Sequence, residues 1–379
     1  EGNAINNRTV YRAGGARQGQ KRVESPGVAE RRAWPNRSVR APPMPEIGSS
    51  SDSVEGRASA ITDPAELLQR LDLPMTLLPA AEQAAKHFGL KVTAPYLARI
   101  RTADPADPLL RQVLPISAEL DEKQGFSSDP VGDLAAMQSP GLLHKYHGRA
   151  LLLATPACGI HCRYCFRRAF PYADANPGRD DWQLALAGIE ADPDLAEIIL
   201  SGGDPLSLSD QRLATLSQRL ADIPHVRRLR IHTRLPVVAP SRVDAALCAW
   251  LSSCRLQTVV VLHINHPREI DVEVAEACAR LRDSGATLLN QAVRLAGVND
   301  DIDTQTSLSE RLFETGILPY YLHQLDRVAG AAHFEVTDAR ACQLLDSLRE
   351  ALPGYLVPRL VREEAGGTSK RPIQGPVDS

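Results

Sequence analysis

The stretch Ala150-Leu-Leu-Leu-Ala-Thr155-Pro-Ala-Cys158-Gly-Ile-His-Cys162-Arg-Tyr-Cys165 decides how the rest of the chain is read. Its first half is an apolar run of strand length that stops at a proline, and its second half puts three cysteines into one short loop. Thiolate sulfur is the preferred ligand of iron–sulfur clusters, and one loop can wrap three corners of a cubane. No fourth cysteine lies nearby. Cys248, Cys254, Cys278 and Cys342 are scattered on or beside helical stretches and read as small core residues. One iron would then have no protein ligand and could bind a small molecule. A structural zinc site would want four closed ligands from paired halves. His161 could be offered as a fourth donor, but there is no second cysteine pair.

Outward from this loop the chain alternates. Strand-type runs sit at 150–155, 197–201, 228–233, 258–264, 287–291 and 318–323, with amphipathic stretches at 209–221, 241–253, 271–284 and 304–315 between them. Six strand–helix units in series predict an α/β fold with a parallel sheet and crossover helices. Chemistry in such folds sits in the loops after the strands. The cysteine trio and the turn Ser201-Gly-Gly-Asp204-Pro both fall there.

Before the alternating region, Asp63-Pro64 reads as a capped helix start, and a few short helices are expected over 61–140. Residues 1–60 form a basic, Pro-rich leader expected to be disordered. Positions 1–45 carry nine Lys/Arg against three acidic residues and no apolar periodicity. The whole sequence is 43% hydrophobic and 23% charged with a formal net charge of −3, which fits a globular protein and gives no global signal for nucleic acid or an anionic membrane. No apolar stretch has membrane-spanning length. Seven cysteines without framework spacing point to a reducing, cytoplasmic setting.

Cys165-Phe-Arg167-Arg168, Ser201-Gly202-Gly203-Asp204-Pro-Leu206 and Pro319-Tyr-Tyr-Leu-His-Gln-Leu-Asp326 follow in order. So do Pro140-Gly-Leu-Leu-His-Lys145-Tyr-His-Gly-Arg149, Arg230-Ile-His-Thr-Arg-Leu-Pro236 and Leu289-Asn-Gln291-Ala-Val293. The carboxyl end reads Tyr355-Leu-Val-Pro-Arg-Leu-Val-Arg-Glu363 and Gly366-Gly-Thr-Ser-Lys370. Together these resemble the lysine 2,3-aminomutase family of radical S-adenosylmethionine (SAM) enzymes, over roughly residues 62–370. Within it the chain looks most like the branch that makes (R)-β-lysine for elongation factor P.

The resemblance implies a partial TIM-type (β/α)6 radical SAM barrel over 141–335, followed by a carboxyl-terminal helix and lysine segment over 336–379. It implies a 4Fe–4S cluster on Cys158, Cys162 and Cys165, and SAM lined by Gly202, Gly203, Asp204 and Gln291. It implies pyridoxal 5′-phosphate (PLP) on Lys370, with Lys145 and Arg149 near the phosphate. Arg167 would take the α-carboxylate of lysine, and Asp326 and Glu363 its distal ammonium. The expected activity is L-lysine 2,3-aminomutase, an isomerase, with an electron donor such as flavodoxin and a functional link to the ligase that modifies elongation factor P. The lysine loop has two glycines where free-lysine enzymes have four, Glu363 replaces an Asp, and His323 a Tyr. The chain ends nine residues after Lys370, so a monomer is expected. Two alternatives are an aminomutase for another amino acid and a zinc-stabilised nucleic-acid module. The Asp326/Glu363 pair argues against an acidic substrate, because like charges would be desolvated together.

Overall fold

The computed structural model describes residues 60–175 and 182–373, with the side chain of residue 174 left aside. The expectation for the leader therefore falls almost wholly outside the described residues. One sheet organises the rest, and its strand order is the chain order, β1 to β10. Strands β3 (Arg149–Thr155), β4 (Glu197–Gly202), β5 (Arg228–Thr233), β6 (Gln257–Leu262), β7 (Thr287–Val293) and β8 (Leu318–His323) are the six expected from sequence. They pair in parallel, each with the next.

Four further strands extend that expectation. Strands β1 (Met137–Ser139) and β2 (Leu142–Tyr146) form a hairpin on the outer edge of β3, so the region read as helical ends before residue 137. Pro140 followed by Gly141 at φ 79° makes the tight turn between them. Strand β9 (Arg359–Arg362) adds a seventh parallel strand beside β8, and β10 (Arg371–Pro372) folds back antiparallel onto it. At four residues, with arginine at both ends, β9 carries too little apolar signal to be read as a strand.

The helices start where their sequences put a cap. Ser209, Asp244, Asp271, Asp301 and Thr337 each accept from the backbone N–H three residues on, at the head of helices Asp210–Ala221, Ala245–Ser253, Val272–Asp283, Ile302–Glu314 and Asp338–Ala351. Asp63 caps Pro64–Arg70 in a related way, accepting from Ala65 N. Alternation along the strands separates two faces. On β5, Leu229, Ile231 and Thr233 are buried against the helices, while Arg228, Arg230 and His232 face the less enclosed side. That polar face is the barrel interior, and it leads toward the strand ends that carry the cysteine loop and the Gly-Gly-Asp turn.

Candidate functional site

The cysteine loop leaves β3 and is pinned by residues of the amino-terminal region. The N–H of His161 donates to Lys91 O (3.0 Å), and its Nδ1 lies 2.8 Å from Gly89 O. Burial holds the imidazole down at about 4, so it is neutral, and the ring stacks on Phe88. His161 is thus engaged by the amino-terminal region. Arg163 and Arg168 share the buried carboxylate of Glu119, with Arg163 bidentate at 2.9 and 2.5 Å and Arg168 at 2.6 Å.

Within this frame Cys158, Cys162 and Cys165 are partly buried. Burial, reinforced by the neighbouring thiols, pushes Cys158 well up and Cys165 up to about 11. Thiols so placed stay protonated until positive charge arrives, which iron would supply. Among the described residues no three His, Cys, Asp or Glu side chains gather around a point that would hold a single metal ion. A cubane does not need that, since it takes each thiolate on a different iron. The residues present fit a cluster.

The turn after β4 packs against this loop through its backbone. Gly202 has φ 114°, and a Cβ there would stand 2.7 Å from Thr155 O. A Cβ on Gly203 would stand 2.3 Å from Ala157 O, so only glycine lets the two strand ends come this close. Asp204 is 6% exposed, yet its carboxylate is saturated. Oδ1 accepts from Leu206 N (3.1 Å) and Thr233 Oγ1 (2.6 Å), and Oδ2 from Arg234 N (2.7 Å) and Leu235 N (2.9 Å). Its side chain braces the turn against the end of β5 and offers no oxygen to a ligand. Gln291, on the interior face of β7, donates from Nε2 to His263 Nε2 at 2.9 Å. Burial keeps His263 down at about 3, so the imidazole is neutral.

The barrel interior gathers the remaining residues into one alternating line of charge. Arg167 donates from Nε to Asp133 Oδ2 (2.7 Å) and from Nη1 to Ser201 Oγ (3.0 Å). Lys145 bridges Asp133 (2.5 Å) and Glu363 (2.8 Å), and Lys370 reaches the other oxygen of Glu363 at 2.5 Å. Burial works against the Glu363 carboxylate, but Lys370 and Lys145 more than offset it and hold Glu363 far below the usual carboxylate range.

Asp326 stands in the field of Glu363, Lys370 and Lys145 without being bonded to any of them. Its Oδ1 is shut off from solvent with no partner. Burial and the charge of Glu363 push the group up to about 7. Tyr146 has a buried hydroxyl without a partner and lies in the field of Glu363, Arg149 and Asp326. Arg149 lies over the Tyr146 ring at 4.8 Å. His232, His263 and His323 are all kept neutral by burial, with the charge of Lys370 adding to it.

Orphaned buried polar atoms mark a space built for a polar occupant. Asp326 Oδ1, Tyr146 OH and His232 Nε2 are such atoms, and with Lys370, Lys145 and Arg149 they fit a phosphorylated aldehyde and a diamino acid. Sequence reasoning missed Asp133, Tyr146, His232, His263 and the partner set of Arg234. The alternation Arg228, Arg230, His232 on β5 could have found one of them. Asp133, in a Ser-Ser-Asp-Pro-Val-Gly-Asp loop, gives no local signal beyond a turn.

No protein-family model matches the chain. It is 48% identical over 330 residues to the L-lysine 2,3-aminomutase of Haemophilus influenzae, covering 87% of this chain and 97% of that enzyme. It is 47% identical over 326 residues to the L-lysine 2,3-aminomutase of Escherichia coli K12, covering 86% and 95%. The enzyme of that name from Clostridium subterminale is 35% identical over 292 residues, covering 77% and 70%. Among solved structures, a radical SAM methyltransferase from Sphaerobacter thermophilus matches with a TM-score of 0.39 and 16% identity, covering 58% of this chain and 68% of that one. With two relatives near half identity along almost their full lengths, and the cysteine loop and Lys370 segment at one end of one sheet, the chain belongs to the lysine 2,3-aminomutase family.

Proposed function

We propose that the protein is a radical SAM, PLP-dependent L-lysine 2,3-aminomutase that makes β-lysine, as the (R) isomer, for modification of elongation factor P. The observation that carries the choice of substrate is the pair of carboxylates at the Lys370 end of the interior. Glu363 already holds an ammonium, that of Lys370, and Asp326 keeps an unpartnered oxygen beside it. The distal end of lysine is the same chemical group. An acidic substrate would bring a third carboxylate into a site that burial already makes costly for two.

Bound, the cluster would supply the electron for reductive cleavage of SAM, and PLP a carbon to carry the migrating amino group. Cys158, Cys162 and Cys165 would hold the first and Lys370 the second, with Lys145 and Arg149 toward the phosphate. The chain's own work is placement. Arg167, held by Asp133 and Ser201, keeps its guanidinium plane fixed for the α-carboxylate of lysine. Asp326 and Glu363 fix the far end, and the three neutral histidines line the space between without adding charge. Gly202 and Gly203 bring the turn after β4 against the cysteine loop, and Asp204 keeps it there.

Within the proposal the physiological electron donor is a flavodoxin-type protein, the product passes to the ligase acting on elongation factor P, and the enzyme is a monomer in the cytoplasm. No helix among the described residues is long and apolar enough to cross a membrane. The decisive experiment is anaerobic incubation with lysine, SAM, PLP and dithionite, followed by chiral amino-acid analysis. β-Lysine is the expected product, and glutamate turnover without lysine turnover would refute the substrate. Borohydride reduction and peptide mapping should place the pyridoxyl label on Lys370. A label on Lys145 would overturn that assignment.

A further inference from the structure

Arg234, immediately after β5, connects the cysteine loop to a buried carboxylate. Its Nη1 donates to Cys162 Sγ at 2.8 Å. Its Nη2 is shared between Gln112 Oε1 (2.7 Å) and Glu269 Oε2 (2.9 Å), and its backbone N–H goes to Asp204 Oδ2. Arg234 is 6% exposed and Glu269 fully buried. Glu269 is itself fixed, because its Oε1 accepts from Asn265 N (3.0 Å) and Gln112 Nε2 (3.1 Å). Tyr96 and Tyr164 lie against the guanidinium at 5.3 and 5.7 Å, so it cannot swing away from the sulfur.

A buried arginine needs one counter-ion, and Glu269 is that ion. The bond to sulfur is additional. A hydrogen bond to a cluster-ligating sulfur favours the more negative, reduced cluster. Because the same residue's backbone is tied to Asp204, the donor is also fixed in register with the Gly-Gly-Asp turn.

We propose that Arg234 is a positioning residue that raises the reduction potential of the cluster by donating to the Cys162 sulfur, with Glu269 as the opposing charge that sets how far. The step it governs is the transfer of one electron from an external one-electron donor into the oxidised cluster, which gains one negative charge. This rests on the reading of Cys158, Cys162 and Cys165 as cluster ligands. Arg234 carries the effect through Cys162 and touches no substrate.

The test is a redox titration followed by electron paramagnetic resonance on the full chain, reconstituted anaerobically with iron and sulfide and without SAM. Wild type is compared with R234Q, R234K and E269Q, with iron measured per chain. In R234Q the oxidised-to-reduced ratio at a fixed potential should rise tenfold or more, equivalent to about 59 mV for a one-electron couple. R234K, which keeps the charge but not the fork, should recover part of this. E269Q should shift in the opposite direction, because it leaves the guanidinium uncompensated. Should R234Q lose iron, the upward shift in E269Q still decides. Iron-replete variants that all titrate like wild type would overturn the proposal and leave Arg234 as fold support. A wild-type protein that takes up no cluster would instead refute the cluster reading, and this proposal with it.

Discussion

The turns after β4 and β8 each carry an aspartate with an enclosed carboxylate oxygen, and the two are opposites. Asp204 accepts four hydrogen bonds from its own fold, whereas Asp326 has an Oδ1 enclosed with none. Burial raises both above the usual carboxylate range. Residue type and strand-end position are therefore not enough to assign a role. A saturated carboxylate belongs to the scaffold, and an unsatisfied one awaits a ligand.

The largest effect expected from this contrast is that of D204A. It strands two tight backbone donors and the Thr233 hydroxyl, and removing one member of such a buried charged set costs about 3–5 kcal/mol. Thermal denaturation should show a large drop in Tm, and reductive SAM cleavage should fall with it. A D204A protein of wild-type stability would break the comparison.

D326N should behave in reverse. Its kcat/KM for lysine should fall by roughly two orders of magnitude or more, an uncompensated buried charge costing about 3–5 kcal/mol. Its cofactor-free Tm at pH 8 should match or exceed wild type, since a buried ionised group is gone. Reductive SAM cleavage should change less than lysine turnover.

The pH dependence sharpens the point. With Asp326 up at about 7 and an unfolded aspartate near 3.9, the folded state keeps the proton longer. The stability this gives is complete below pH ~4 and is lost as pH rises through about 7. In the proposed role Asp326 must be ionised to hold an ammonium, so lysine recognition has the opposite sign. KM for lysine should fall from pH 6 to pH 8 in wild type and stay flat in D326N. The smallest effect is expected of K370A, which removes an ion pair whose partners are 19% and 16% exposed and leaves Lys145 on Glu363. Its Tm should shift by no more than a few degrees, while pyridoxyl labelling should vanish.

The barrel was legible because strand and helix periods alternate cleanly and five of the helices between strands open on a Ser, Thr or Asp cap. The cysteine loop was legible because its three thiols are close in sequence. The interior was not, because its members come together only through the sheet. Asp133 meets Arg167 across 34 residues, and Lys145 meets Glu363 across 218. Lys145, which the proposal places toward the phosphate, also bridges two carboxylates, and Asp204, read as a SAM contact, spends its oxygens on its own turn. No local pattern distinguishes a charge facing a ligand from one facing another charge. β9 escaped notice for a different reason. Its two central residues carry all its apolar character, and parallel pairing with β8 supplies the rest.

The strand order, identical with the chain order, has a consequence for synthesis. Each parallel strand can dock on the one made just before it, so a nascent chain can extend the sheet without waiting for distant partners. The cysteine loop and the Gly-Gly-Asp turn are completed early in translation. Glu363 and Lys370 arrive only with the last strands. A ribosome stalled after β8 would hold a chain with every thiol of the trio and every glycine of the turn, but neither Glu363 nor Lys370.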